Sequence, residues 1–254
     1  MKKLFLALAT IGFLFIGCNR DDNDNGYENG ETRKLPSKMT ATWLNEFGDP
    51  NHWFQTFEYD AQNRLIKVIS WNELGDWADT LQFLYETGNT PTKMLARGRD
   101  GEYMGQRENT FEYVDNLVII IREGVGWISR DTVELNASNQ MVRWIIDGEG
   151  GEGIEYNSNG NISRLVRNEH SIVEISYSNK KSIFRYANIP SWLMFWIFHV
   201  EFPVQGYMPS EFRINGEVTT TFTYTLNGDW VKTRTRIGDA DADEVMTIEY
   251  INAR

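Results

Sequence analysis

From Leu35 onward apolar and polar residues alternate, and the alternation recurs as a unit. The unit is a short apolar-aromatic run that closes on tyrosine: TFEY at 56–59, FLY at 83–85, TFEY at 110–113, GIEY at 153–156, EISY at 174–177, TFTY at 221–224 and TIEY at 247–250. TVEL at 132–135 fits the series, with Leu135 in the tyrosine place. Successive anchors lie 26, 28, 22, 21, 21, 47 and 26 residues apart, the spacing of one supersecondary unit repeated with variable loops. Strand side chains alternate between faces, so Phe57 and Tyr59 point one way and Thr56 and Glu58 the other. The same parity puts Glu112, Glu155, Glu174, Thr223 and Glu249 on the polar face.

A polar turn and a second apolar run follow several anchors. DAQNR leads to LIKVI, NASNQ to MVRWI, NSNGN to ISRLV and TLNGD to WVKTR. Asn, Asp and Gly dominate these turns because they form Asx turns or tolerate positive φ. Two apolar runs joined in this way predict a β-hairpin. LPSKM at 35–39, TPTKM at 90–94 and MPSEF at 208–212 place proline at a strand opening, where its missing N–H does least harm. On the returning strands a base precedes an apolar residue, as in Lys38-Met39, Lys67-Val68, Lys93-Met94, Arg143-Trp144 and Arg164-Leu165. If the apolar member faces inward, the base faces a glutamate on the neighbouring strand, and a one-residue slip would bury charge. The pattern predicts an all-β protein, an antiparallel meander of repeated hairpins curled into an open or closed barrel-like sheet.

One segment breaks the repeat. The 47-residue gap contains IPSWLMFWIFHVEFPVQGYMP at 189–209, in which His199 is the one polar residue from Trp192 to Val200. This is too short to cross a bilayer. Pro190-Ser191 starts a short helix near 191–199, and Pro203 and Gly206 would end it. A helix apolar on all sides is buried on most of them. It is either a plug packed in the sheet's concave side or a membrane-surface loop or ligand lid.

The chain has 254 residues, is 41% hydrophobic and carries a formal net charge of -11. That acidity opposes nucleic acid and anionic bilayers as principal partners. Residues 1–17 read as a secretory signal, with MKK as its basic start and LFLALATIGFLFIG as its apolar stretch. The LFIGC stretch resembles the lipobox of bacterial lipoproteins, with the single cysteine, Cys18, as the lipid attachment site. Losing Lys2 and Lys3 with the signal leaves 23 bases against 36 acids, a net of -13. Residues 18–34 then form an acidic flexible tether, since NRDDNDNGYENGET has no aliphatic residue to offset the entropy of ordering. Residues 35–254 form a single repeat-built β domain.

The FEYDAQNRLIKV unit at 57–68 looks like the YD repeat of bacterial surface and toxin-shell proteins. The lipobox, acidic tether, xPSKM strands, Tyr-anchored hairpins and closing PSEF, TFTY and TIEY block are together similar to a family of Bacteroidota lipoproteins of unknown function with a porin-like fold. The resemblance covers most of 35–254. It implies an antiparallel barrel-like sheet and brings no catalytic residues. The acidic run behind Cys18 resembles the surface-export signal of such lipoproteins. Outer-membrane anchoring through the lipid, with surface exposure in view, follows from these resemblances.

Candidate chemistry is sparse. His52, His170 and His199 are isolated in sequence, with no metal-ligand spacing. No nucleophile elbow, P-loop or dinucleotide fingerprint is present. DADADE at 239–244 has alternate carboxylates suited to a hard cation, but no glycine at the sixth place and Tyr250 at the twelfth. DDNDNG at 21–26 has Thr32 at its twelfth place. The expectation is no enzyme, no cofactor, no metal, no catalytic residue, and an unknown ligand and oligomeric state. Of nine tryptophans, Trp71, Trp77 and Trp127 lie near loops, and exposed aromatics stack on sugars. A non-enzymatic binding or structural envelope module, with a glycan or an envelope protein as partner, is therefore set beside a glycan-binding or glycan-processing surface lipoprotein. A lipid-embedded porin is not expected. Transmembrane strands need about 9–11 residues, whereas these look shorter, carry charge along one face, and precede an INAR terminus rather than an aromatic one.

Overall fold

The computed structural model describes residues 32–45, 47–75, 77–100, 103–124, 127–168, 171–238 and 243–254. Cys18, the signal at 1–17, the tether to residue 31, His170 and residues 239–242 lie outside the described residues.

Sixteen strands are arranged in chain order. The first four are β1 (Lys34–Leu44), β2 (Pro50–Tyr59), β3 (Leu65–Asn72) and β4 (Trp77–Leu84). Next come β5 (Lys93–Asp100), β6 (Tyr103–Val114), β7 (Leu117–Gly124) and β8 (Trp127–Leu135). Then follow β9 (Met141–Ile146), β10 (Glu149–Tyr156), β11 (Ile162–Asn168) and β12 (Ser171–Lys181). After a helix, α1 (Ser191–Phe198), the chain closes with β13 (Tyr207–Ile214), β14 (Glu217–Asn227), β15 (Trp230–Gly238) and β16 (Glu244–Asn252). Each strand pairs antiparallel with its chain neighbours, and β16 pairs with β1 from Lys34↔Asn252 to Trp43↔Glu244. The sheet is thus a closed barrel without a free edge. Lys34, assigned to the tether from sequence, opens β1. The expectation of short strands is also corrected, because β6 has 12 residues and β1, β12 and β14 have 11 each. These strands continue beyond the Tyr-anchored core of the unit, as YMGQREN does before TFEY on β6 and EVTT before TFTY on β14.

The tyrosines mark one rim. Even-numbered strands run toward it, and each tyrosine hydroxyl donates to a carbonyl at or beside the opening of the preceding strand. Tyr59 bonds Pro36, Tyr85 bonds Leu65, and Tyr113 bonds Pro91. Tyr156 bonds Met141, Tyr177 bonds Ile162, Tyr224 bonds Pro209, and Tyr250 bonds Val231. β8 is the exception, with Leu135 at that position. A tyrosine therefore does more than fill a pleat: its hydroxyl pins the hairpin's two strands at one level. Three rim turns share one geometry. Asp60, Asn136 and Asn157 each accept two backbone N–H groups on Oδ1, from Gln62 and Arg64, Ser138 and Gln140, and Asn159 and Asn161. TLNGD differs: β14 continues through Asn227, and Gly228-Asp229 makes a two-residue turn.

A barrel of sixteen strands is too wide for wall side chains to meet across it. The connection at 182–206, in the long gap of the repeat, supplies the missing core. Ile183 and Phe184 are fully buried, as are Trp192, Leu193 and Met194 of α1. Phe184 and Phe198 meet Phe57 on β2 with ring centroids 5.5 and 6.0 Å apart. Trp192 meets Phe111 on β6 at 5.2 Å, and Phe195 meets Trp144 on β9 at 6.2 Å. Tyr186 meets Trp230 on β15 at 5.7 Å. Contacts to four well-separated strands place the segment inside the barrel, as a plug. It is stitched to the tyrosine rim by Asn188 N–H on the Asn63 carbonyl and by the Ser191 hydroxyl on the Asn139 carbonyl.

Candidate functional site

Following the inward-facing residues away from the tyrosine rim, the wall changes character at one level. On β2 the order is Tyr59, Phe57, Gln55; on β6 it is Tyr113, Phe111, Asn109, Arg107; on β8 it is Leu135, Val133, Asp131. On β14 it is Tyr224, Phe222, Thr220. Gln55, Asn109, Asp131 and Thr220 are all buried. On these strands an apolar layer gripping the plug is thus overlain by a polar layer that faces the opposite rim, whereas Leu81, Val173 and Met246 keep that level apolar on β4, β12 and β16.

The polar layer is organised in ion pairs and hydrogen bonds. Gln55 Nε2 donates to Ser70 Oγ at 2.9 Å. Arg122 Nη2 donates to Asp131 Oδ1 at 2.7 Å, and Arg167 Nε lies 3.0 Å from Glu152 Oε1. Arg234, 1% exposed, donates to Glu201 of the plug at 2.8 Å and to Glu244 of β16 at 2.9 Å. The rings of Phe202 and Phe222 lie 4.5 and 5.2 Å from its guanidinium carbon. Burial opposes its charge, but the two carboxylates outweigh burial and hold its pKa above the ordinary arginine value. Across the barrel, burial raises the Asp79 carboxyl above its ordinary value, partly opposed by the Thr80 amide and the Arg107 charge.

Between β4–β7 and α1 the layer leaves a cavity of about 180 Å³. Leu81, Met94 and Ala96 form its apolar wall, and Trp196 and Ile197 of α1 close the other side. Arg107, Asn109 and Arg122 supply its polar groups. Arg107 is exposed, so the cavity reaches solvent. Asn109 is 4% exposed, and its Oδ1 has no hydrogen-bond partner; neither has the buried Nε of Arg122. Such orphaned groups cost roughly 1–3 kcal/mol each, and they belong to residues that line this cavity between the polar layer and the plug. No serine, cysteine or histidine lines it.

Among the solved structures similar to this chain are two porin-like proteins. One is a porin-like protein from Bacteroides uniformis ATCC 8492, with a TM-score of 0.41 and 15% identity, over 85% of this chain and 98% of that one. The other is a porin-like protein from Bacteroides vulgatus ATCC 8482, with a TM-score of 0.40 and 11% identity, over 87% and 99% of the two chains. No family model and no curated protein matches the chain. Likeness at this level leaves the site to be argued from its own residues.

The residues singled out from sequence are dispersed. Trp71 is on the outer wall, stacked on Phe54 at 5.4 Å. Trp77 and Trp127 share the inward parity of Leu81 and Val133 and are partly exposed at the rim opposite the tyrosines. They do not form a row with Trp71. His52 also lies on the outer wall, its Nδ1 2.9 Å from Thr42 Oγ1, whereas His199 caps α1 beside Trp144. Among the described residues no three His, Cys, Asp or Glu side chains are grouped to hold a metal. Glu244, at the end of the DADADE run, is turned inward to Arg234. The polar layer itself was missed, although a signal was present: four residues before the anchor stand Gln55, Asn109, Asp131, Glu152 and Thr220.

Proposed function

We propose that this chain is a lipid-anchored envelope module whose barrel stands in water, plugged at the tyrosine rim and binding a ligand from the opposite rim. The lipid is carried by Cys18, and the acidic tether holds the barrel off the outer membrane. The module is read as a binding one, with a cavity that sets two arginines and an asparagine against an apolar wall.

The outer wall carries the proposal. Lys38 pairs with Glu249 at 3.6 Å, Lys67 with Glu58 at 3.0 Å, and Arg164 with Glu155 at 2.9 Å. Lys93 pairs with Glu108. These cross-strand pairs lie on β1–β16, β2–β3, β10–β11 and β5–β6, so charge encircles the barrel. Glu112, Glu174 and Arg143 share the same outward parity. A lysine or arginine on a lipid-facing wall costs roughly 2–4 kcal/mol at the bilayer midplane, and a belt of them leaves no apolar band of membrane height. In water the same pairs contribute roughly 0.2–1 kcal/mol each and fix the register.

The test is fractionation of Cys18→Ser beside the unaltered chain. The unaltered chain is expected in the membrane fraction. The variant is expected to be released as a folded, monodisperse protein in buffer without detergent. Retention of the variant in membranes, or folding that requires detergent, would overturn the proposal.

A further inference from the structure

We propose that the cavity between β4–β7 and α1 is a binding site for a small apolar α-amino acid. The inference rests on the barrel standing in water, so that the rim opposite the tyrosines is reached by aqueous solutes.

The cavity exists because the wall is bare there. Ala96, Gly98 and Gly105 occupy successive inward positions on the paired strands β5 and β6, where other strands carry large side chains. A Cβ placed on Gly98 would meet Asp79 Oδ1 at 3.6 Å, so Asp79 stands over the bare patch. The polar complement is uneven in an informative way. Arg122 has one edge committed to Asp131, while its Nε lacks an acceptor. Arg107, two inward positions above Phe111, brings a second guanidinium. A carboxylate between the two would satisfy the orphaned Nε, in the planar geometry that guanidinium groups favour. Asn109 Oδ1 is an orphaned acceptor, and the Asp79 carboxyl lies beside the cavity, over Gly98. The orphaned Asn109 oxygen calls for a donor on the same ligand, and an ammonium there is also attracted by the neighbouring Asp79 carboxyl. Arg107 and Arg122 are balanced by Asp79 and Asp131, so a dipolar ligand fits better than a net anion.

The remaining walls specify the rest of the molecule. Leu81, Met94 and Ile197 present apolar surface, and Trp196 adds its indole ring. A 150 Å³ cavity holds benzene, so 180 Å³ has space for about seven to nine non-hydrogen atoms. A carboxylate and an ammonium on one carbon, with a branched aliphatic group, fill that space.

Leucine, titrated calorimetrically into the folded Cys18→Ser chain, is the probe. Saturable binding is expected. Isoamylamine, without the carboxylate, and 4-methylpentanoate, without the amine, are each expected to bind at least about tenfold more weakly, because a site built to hydrogen-bond a group rejects the analogue that lacks it. Ala96→Leu fills the cavity and is expected to abolish binding while the melting temperature holds. Arg107→Gln, at an exposed position, is expected to weaken leucine at least about tenfold and keeps the test valid if Ala96→Leu does not fold. Absence of saturable binding up to about 10 mM, beyond the millimolar end of the affinity scale, means that water alone fills the cavity and overturns the proposal. Equal affinity for leucine and 4-methylpentanoate, or unchanged binding in both variants, overturns it as well. A chain that stays monodisperse without detergent yet binds nothing refutes the ligand and leaves the water-exposed barrel standing.

Discussion

Seven tyrosine hydroxyls at one rim make the barrel sensitive to alkali in a calculable way. Each donates to a main-chain carbonyl and must keep its proton to do so. Burial raises all seven pKa values above the ordinary phenol value. A group whose folded pKa lies above its unfolded value contributes stability that is complete below the unfolded pKa and is lost as pH rises toward the folded one. For tyrosine the loss begins near pH 10, at about 1.4 kcal/mol per residue for each further pH unit. Tyr113 is 39% exposed and is left out as screened by solvent. The other six then remove about 8 kcal/mol by pH 11, an upper value comparable to the whole stability of an ordinary domain, about 5–15 kcal/mol.

The assay is an alkaline titration that follows phenolate absorbance and circular dichroism together. The expected outcome is one cooperative step, in which the rim tyrosines ionise as the barrel unfolds. Tyr177→Phe is expected to cost about 1 kcal/mol at neutral pH for its lost hydrogen bond and to lessen the steepness of the alkaline step by close to one proton. Gradual phenolate formation centred near pH 10 for all the tyrosines, with the circular dichroism of the fold unchanged, would refute the reasoning.

Three further outcomes are expected. Arg234→Met strands Glu201 and Glu244, so it should cost about 3–5 kcal/mol and lower the melting temperature by roughly 6–20 °C; adding Glu201→Gln and Glu244→Gln should recover most of the loss, and a single variant as stable as the parent would show that the buried pair does not lock the plug. Gly206→Ala places a Cβ 1.8 Å from Asn161 Oδ1 at a φ of +78°, and should destabilise by about 2–3 kcal/mol in urea unfolding; an unchanged midpoint would refute the tight closure of the rim. Asp79→Asn should stabilise the fold at pH 7, because burial raises the folded-state pKa of the carboxyl and makes its ionised form a liability; the gain should vanish as pH falls below the ordinary aspartate range, and a loss of stability at pH 7 would contradict the assigned direction.

Local features of the fold were legible in the sequence because local chemistry fixes them. The Tyr-anchored strands, the Asx turns at Asp60, Asn136 and Asn157 and the glutamate-base pairing across strands all follow from residues within one hairpin. The apolar run at 191–199 was legible as a buried helix for the same reason: it has no polar side to leave in water. Closure was not legible. The pairing of Lys34–Trp43 with Glu244–Asn252 joins the two ends of the domain, and neither strand's pattern distinguishes this partner from any other in the repeat. The function of the tyrosine hydroxyl was hidden as well, because Leu135 shows that the position tolerates a residue without one. The polar layer shows a different limit. Gln55, Asn109, Asp131, Glu152 and Thr220 stand at one offset from their anchors, yet each reads alone as an ordinary polar break in a strand. Strand parity places them inward, and only a wide barrel with its own plug gives inward polar groups something to face. The plug therefore decides the site: by closing the tyrosine end with Phe184, Trp192 and Phe198 it leaves the polar layer facing the opposite rim, with the cavity reaching solvent at Arg107.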